Sequence, residues 1–167
     1  DDAVRTNENV IFRRRDEAIA FIKKTIAQYD KPAIVSFSGG KDSLTTLLLT
    51  LDAGLKLPVL FVNTGLEFNE TVEHVHDICK RHELQLIEED APTDAFFGNL
   101  VQFGPPAKDY RWCCKTNKLG PTVAAINKNF PKGCLSFIGQ RKYESEARHN
   151  KPRVWVNPWT PGQTGAS

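Results

Sequence analysis

The sequence predicts an α/β fold: an open, mostly parallel five-stranded sheet with helices on both faces. Three observations predict it. Short apolar runs alternate with stretches of helical period from Ala33 to Val156, the signature of right-handed βαβ crossovers over a parallel sheet. A length of 167 residues suffices for one hydrophobic core and is short for two. The composition, 40% apolar and 25% charged, is that of an ordinary globular domain. No internal repeat, low-complexity run or domain boundary interrupts residues 1–167, so one domain is expected.

Each element follows from local pattern. Residues 9–29 carry Ile11, Phe12, Ile19, Phe21, Ile22 and Ile26 at mostly helical spacing, an amphipathic helix ahead of the first strand. Ala33-Ile34-Val35-Ser36-Phe37 reads as a buried parallel strand, followed at once by the turn Ser38-Gly39-Gly40-Lys41-Asp42-Ser43. Residues 44–51 are helical, with Asp42 or Ser43 near the cap and Gly54 at the stop. Residues 58–62 form a second strand, Asn63-Thr64-Gly65 a turn, and residues 69–82 a helix with Val72, Val75, Ile78 and Cys79 inward. A third strand covers 84–87, a short helix 93–103, and a further helix 116–127, interrupted near its start by Gly120-Pro121. Residues 134–138 give a fourth strand and 153–156 a fifth. The Pro-, Gly- and Thr-rich tail after Asn157 reads as surface loop or a lead into further sequence. With no initial Met and an abrupt stop at Gly165-Ala166-Ser167, the chain is expected to be a fragment of a longer protein, its C-terminal part lying beyond Ser167.

The bulk numbers narrow the function classes. A net charge of +2 does not indicate a nucleic-acid-coating surface, though it allows a local basic pocket for a small anion. No apolar run approaches the ~18 residues of a membrane span, and the charged start lacks a signal-peptide core. Four cysteines, Cys79, Cys113, Cys114 and Cys134, make no disulfide scaffold at this length, so a reducing cytoplasm is the expected location. Cys79 and Cys134 sit in apolar patterns and read as core. His74 and His76 lie two apart on a helix and diverge, which argues against a shared metal. The Arg13-Arg14-Arg15 run reads as a solvated face.

The glycine turn carries the chemistry. Two glycines let the main chain curl around a ligand without a Cβ in the way. The N–H groups of the turn and the first helical turn then converge on one spot, helped by the helix dipole. Ser38 and Ser43 add hydroxyls and Lys41 a compact charge. A tight βα turn with a simple helix cap would explain Gly39-Gly40 alone, but not the whole segment Ser36-Phe37-Ser38-Gly39-Gly40-Lys41-Asp42-Ser43 between a strand and an apolar helix. The spacing fits neither Walker A nor the dinucleotide GxGxxG.

Ser38-Gly39-Gly40-Lys41-Asp42-Ser43 resembles the PP-loop of the ATP pyrophosphatase superfamily, of adenine nucleotide alpha hydrolase-like fold. The stretch from Val62 through Asn63, Thr64, Gly65 and Glu67 to Thr71 resembles the block after the second strand of reductases of phosphoadenylyl sulfate (PAPS) and adenylyl sulfate (APS). The stretch from Ile138 through Gly139, Arg141 and Glu144 to Arg148 resembles their "GxRxxES..R" block. The resemblance implies that the PP-loop residues, with Ser36, hold the phosphate or sulfate end of an adenylyl nucleotide. It implies further that Asn63, Thr64, Gly65 and Glu67 lie beside the adenosine, and that Gly139, Arg141 and Arg148 close on the anion. Asn63 departs from the usual Asp.

The same resemblance bears on Cys113-Cys114. In APS reductases such a pair joins a later CxxC to hold a [4Fe–4S] cluster, making these two candidate ligands in a longer protein; the CxxC is absent here. Arg111, Lys115 and Lys118 are nearby cations that would lower thiol pKa and offset cluster charge. The implied function is thiol-dependent reduction of a sulfonucleotide, with a thioredoxin-like or ferredoxin-like electron donor and an oligomer both compatible. The family's nucleophilic cysteine lies in a C-terminal tail, and no cysteine follows Cys134. The alternatives are an ATP pyrophosphatase-type adenylating or thiolating enzyme, using Mg²⁺ with ATP, and a non-catalytic nucleotide-binding module of a larger assembly.

Overall fold

The computed structural model describes residues 7–92, 94–144, 146–158 and 164–167. Helix α1 (Glu8–Gln28) precedes β1 (Ala33–Ser36), α2 (Lys41–Asp52), β2 (Val59–Asn63), α3 (Asn69–Arg81), β3 (Leu86–Asp90) and α4 (Ala95–Phe103). A π-helical turn (Cys114–Leu119) then runs directly into α5 (Gly120–Asn129). After β4 (Leu135–Ile138) come a 3₁₀ turn (Lys142–Glu144), the short α6 (Glu146–His149), β5 (Val154–Val156) and β6 (Thr164–Ala166). Thr93, Ser145 and the tail residues 159–163, which entered the sequence reading, lie outside the described residues. No helix among the described residues is long and apolar enough to cross a membrane.

The strands form one six-stranded sheet in the order β3-β2-β1-β4-β6-β5. All neighbours are parallel except the edge pair β5–β6. The sequence predicts five of these strands and reads the sixth, β6, as loop. The reason is visible in its residues. Thr164-Gly165-Ala166 has no apolar run, yet it pairs with β4 through Leu135–Thr164 and Phe137–Ala166. Gly165 is required there, because a Cβ would come within 2.6 Å of the Trp155 ring on β5.

Alternation along the central strands covers both sheet faces, as a parallel sheet demands. Val35, Phe37, Val59, Phe61, Leu135 and Phe137 face one side, where Ile22 of α1, Leu47 of α2 and Val75 of α3 complete the core. Ile34, Leu60, Ile87 and Cys134 face the other, against Ala125 and Ile126 of α5. Cys79 and Cys134 are both buried in these clusters, as the sequence leads one to expect.

The helix read over 116–127, with its interruption at Gly120-Pro121, is a π-turn followed by an α-helix, and Pro121 accounts for the break. A proline inside an α-helix has no N–H to give and its ring crowds the carbonyl four residues back. Here the preceding turn is widened to a π-turn, and Pro121 falls in the first turn of α5. Such π-turns concentrate at functional sites, and this one borders the cleft described next.

Candidate nucleotide site

Chain order reverses between β1 and β4: the chain moves outward from β1 to β2 and β3, then returns to place β4 on the other side of β1. Ligands of open α/β sheets bind at such switch points, beyond the carboxyl ends of the strands. A cleft of about 400 Å³ opens there. Its floor is Ser36, Phe37 and Ser38 from β1 and its turn, with Leu60 and Val62 from β2 and Ile138 and Gly139 from the end of β4.

Of the β1–α2 turn, Ser38 and Ser43 line the cleft, while Gly39, Gly40, Lys41 and Asp42 lie beside it and outside its lining. Gly39 has φ +76°, and a Cβ there would meet Thr71 Cγ2 at 2.8 Å. Gly40 is the N-cap residue of α2, with φ −83° and ψ 158°. Ser38 N–H donates to Ser43 Oγ at 3.2 Å, and that hydroxyl donates to Gly40 O at 2.9 Å. The Ser38 and Ser43 hydroxyls also lie 3.2 Å apart. The serines therefore brace the loop as well as facing the cleft. The first amides of α2 have no carbonyl one turn back, and among the described residues no acceptor meets the N–H groups of Gly39, Gly40, Lys41 or Asp42. Aligned with the positive end of the helix, these donors suit a phosphate or sulfate oxygen.

The switch point is closed tightly at Gly139. A Cβ at that position would lie 2.4 Å from Asp42 O, a main-chain atom of the first turn of α2. Only glycine lets β4 exit against that turn. Ser36 Oγ and Ser136 Oγ, 3.0 Å apart, join β1 to β4 beneath it.

The opposite wall comes from the β2–α3 loop. Asn63 Oδ1 accepts from Gly65 N–H at 3.0 Å, an Asx-turn that uses the amide side chain where Asp is usual. Glu67 accepts from Thr64 N–H at 2.8 Å and from Thr64 Oγ1 at 2.9 Å, so its carboxylate is fixed at the cleft edge. Asn117, 3% exposed, reaches across from the π-turn and donates to Thr64 O at 3.2 Å, while its Oδ1 accepts from Thr116 Oγ1 at 2.7 Å. The π-turn thus hangs on the loop and brings Cys114, Lys118 and Leu119 to the cleft. Sequence reasoning did not single out Asn117. A polar residue among helix-forming neighbours was the only signal.

The remaining sequence candidates divide. Thr64 and Arg148 line the cleft. Arg141 turns to Asp42, its Nε 2.9 Å from Oδ2, and Lys41 Nζ lies 3.6 Å from the same carboxylate. Lys41 is 77% exposed. Arg148 also pairs with Glu144.

Cys113 and Cys114 fit a [4Fe–4S] cluster only in part. Cys114 is exposed and Cys113 half-buried, and neither Cys79 nor Cys134 is placed to join them, each lying in a separate core. Among the described residues no three metal-ligating side chains converge. Burial, then the adjacent Cys114 thiol, pushes the Cys113 thiol up. That is opposite to the lowering that the neighbouring cations suggest from sequence. The described residues supply two of the four thiolates such a cluster takes.

Comparison with known proteins bears on the family and the fold. The model of the phosphoadenosine phosphosulfate reductase domain matches residues 32–165. An uncharacterized protein of Methanocaldococcus jannaschii is 43% identical over 98% of this chain and 34% of its own length. A sulfate adenylyltransferase subunit 2 of Mycobacterium sp. (strain KMS) is 32% identical over 83% of this chain and 43% of its own. The chain therefore spans well under half the length of these relatives. The crystal structure of a PAPS reductase from Candida auris, a phosphate complex, superposes with TM-score 0.63 at 13% identity, over 89% of this chain and 70% of that one. Candida glabrata FMN adenylyltransferase in complex with ATP gives 0.61 at 18% identity, over 94% of this chain and 50% of that one. At such identities these two structures speak to the fold. The chain belongs to the phosphoadenosine phosphosulfate reductase domain family.

Proposed function

We propose that this domain binds an adenylyl nucleotide in the switch-point cleft and that the protein containing it reduces a sulfonucleotide, APS or PAPS, by a thiol. The observation that carries the binding is the set of unpartnered amides at Gly39–Asp42, between Ser38 and Ser43, which line a cleft whose other wall is the braced Thr64–Glu67 loop. The nucleotide's phosphate or sulfate end lies on the amides, with Ser36, Ser38 and Ser43 beside it. The base and ribose lie toward Asn63, Thr64, Gly65 and Glu67, and Gly139, Arg141 and Arg148 border the anion.

In the reduction, a thiolate attacks the sulfonucleotide's sulfur, an S–S bond forms, and the S–O bond breaks with its electron pair going to the nucleotide phosphate. A second thiol then attacks the cysteine sulfur of the S–S bond, sulfite leaves, and the two thiols end as a disulfide that a thioredoxin-like or ferredoxin-like donor restores. The attacking thiol is expected from a C-terminal segment, as the family resemblance implies. If a cluster completes the site, Cys113 and Cys114 would be its ligands from this domain.

The sulfate adenylyltransferase relatives favour a second reading. There the same amides hold ATP, an oxygen nucleophile attacks the α-phosphorus, and pyrophosphate leaves, with Mg²⁺ offsetting the phosphate charge. Calorimetric titration with ATP, APS and PAPS separates the two. Tighter binding of APS or PAPS supports reduction, whereas Mg²⁺-dependent preference for ATP supports adenylyl transfer. Gly40→Val keeps an allowed backbone and has room for its Cβ, whose nearest neighbour is Ser38 Oγ at 3.7 Å. It is expected to crowd the amides and weaken all three ligands. Absence of binding by every nucleotide to the unaltered protein defeats both readings.

A further inference from the structure

Helix α4 is composed like a core helix and lies on the surface. Its nine residues, AFFGNLVQF, carry no charge, and apolar side chains fall on opposing sides of it. A helix apolar all round is ordinarily buried, yet no residue of α4 is buried. The inner side is accounted for. The Phe96 and Phe103 rings lie 5.4 and 6.2 Å from the Trp112 ring, centre to centre. Trp112 is 6% exposed and donates from Nε1 to Gly104 O at 3.0 Å. The outer side holds Phe97 and Val101, one helical turn apart, and these are 62% and 88% exposed.

Gly98 is a second, independent observation. It stands beside Phe97 on the outer side and is exposed. Among the described residues no atom lies within 4 Å of where its Cβ would sit, and its backbone is helical, so no left-handed φ calls for glycine. Glycine is the poorest helix residue after proline. Neither its own helix nor its surroundings in this chain favour it. What glycine permits is the close approach of another backbone.

We propose that the outer side of α4 is a self-association surface, on which two copies of this chain pair their α4 helices antiparallel across a two-fold axis, crossing at Gly98. Such a contact sets one patch against the same patch of the second copy. The midpoint of α4 is Asn99, next to Gly98. Antiparallel pairing about that midpoint sets Phe97 against the partner's Val101, and Val101 against the partner's Phe97. Charge favours a second copy as the occupant. Exposed Asp90 and Asp94 stand at the entry to α4, and exposed Lys108 and Arg111 follow its exit with Asp109 between them. The two ends thus carry opposite net sign, and antiparallel pairing turns the acidic end of each helix towards the basic end of the other.

The test is analytical ultracentrifugation of the full chain over a range of concentrations. A monomer–dimer equilibrium is expected, with the heavier species at twice the 18.7 kDa of one chain and a Kd of about 10 µM or tighter. Val101→Glu should weaken it by about hundredfold, since pairing would bury a carboxylate without a partner. Gly98→Gln separates association from folding. Glutamine is the better helix former, so the monomer's thermal midpoint should rise while the dimer weakens by about tenfold or more. Lys108→Glu should weaken the dimer by about threefold, because acid then faces acid. Circular dichroism checks that each variant folds, and if Val101→Glu does not, Gly98→Gln decides. A monomer at every concentration up to about 1 mM overturns the proposal. So does a dimer unmoved by Val101→Glu and Gly98→Gln, or one tightened by Lys108→Glu. Failure of ATP, APS and PAPS to bind would leave this result unaffected.

Discussion

The two sides of the β1–β4 switch point offer hydrogen-bond donors of two different kinds. On the α2 side the donors are main-chain amides of Gly39–Asp42, set by a glycine with φ +76° and by serines bonded to one another. On the side that follows β4 the donors are side chains, Arg141 and Arg148, each tied to a carboxylate. A main-chain donor has no charge to lose with pH and no rotamer entropy to surrender. A side-chain donor can be retuned by one substitution and responds to salt. The first wall depends on backbone shape, the second on charge.

That contrast breaks most visibly where the two walls touch. Gly139→Ala places a methyl 2.4 Å from a main-chain oxygen of α2, with no flexible side chain able to move aside. Either β4 or the first turn of α2 must shift. The expected loss is about 3 kcal/mol or more in urea unfolding, at the upper end of what overpacking produces, with nucleotide binding lost alongside. A loss below about 1 kcal/mol would show that the switch point is looser than its geometry.

The two glycines of the turn then separate from each other. Gly39→Ala must adopt a left-handed φ and meets Thr71 Cγ2 at 2.8 Å, so about 1–2 kcal/mol of destabilisation is expected. Gly40→Ala meets nothing closer than 3.7 Å at an ordinary φ, and its stability should change by less than about 0.5 kcal/mol. Equal effects at the two positions would mean that the loop is not held by its backbone conformation. Chemical unfolding of both variants checks this.

These two walls were also unequally legible in the sequence. The strand–Gly-Gly–helix pattern is local, and its physics is local too, so the turn, α2 and the buried strands β1, β2 and β4 follow from eight or so neighbouring residues each. The π-turn did not follow, because it answers to Pro121 and to a contact between Asn117 and Thr64, 53 positions apart. Strand β6 was hidden for a similar reason: Thr164-Gly165-Ala166 is a strand only because β4 and Trp155 lie beside it. Arg141 was legible as a cation near the carboxyl edge, but its partner Asp42 belongs to tertiary structure.

The loop opposite the turn offers an intermediate test. Asn117 is 3% exposed and ties the π-turn to the β2–α3 loop through one donor and one acceptor. Asn117→Ala leaves Thr64 O and the Thr116 hydroxyl without these partners. A cost of about 1–2 kcal/mol is expected. Asn117→Asp keeps the acceptor but removes the donor and introduces a buried charge near Glu67, so it should be no better tolerated than alanine. If both variants unfold like the unaltered protein, the π-turn is held by packing alone.

The smallest effect is expected on the charged wall. Arg141 and Asp42 are 58% and 32% exposed, so water screens their attraction and the pair should contribute less than about 1 kcal/mol to stability. Arg141→Gln should therefore leave the unfolding midpoint nearly unchanged while freeing the Asp42 carboxylate at the mouth of α2. A released negative charge beside the amides of the turn opposes an incoming anion, and that repulsion acts over a Debye length of about 8 Å at physiological salt. Nucleotide binding by Arg141→Gln should consequently weaken more at low salt than at high salt. The Gly40→Val variant, which blocks by shape, should show the same loss at both. A salt-independent loss in Arg141→Gln would place the two walls in one class, with the arginine acting through geometry rather than charge.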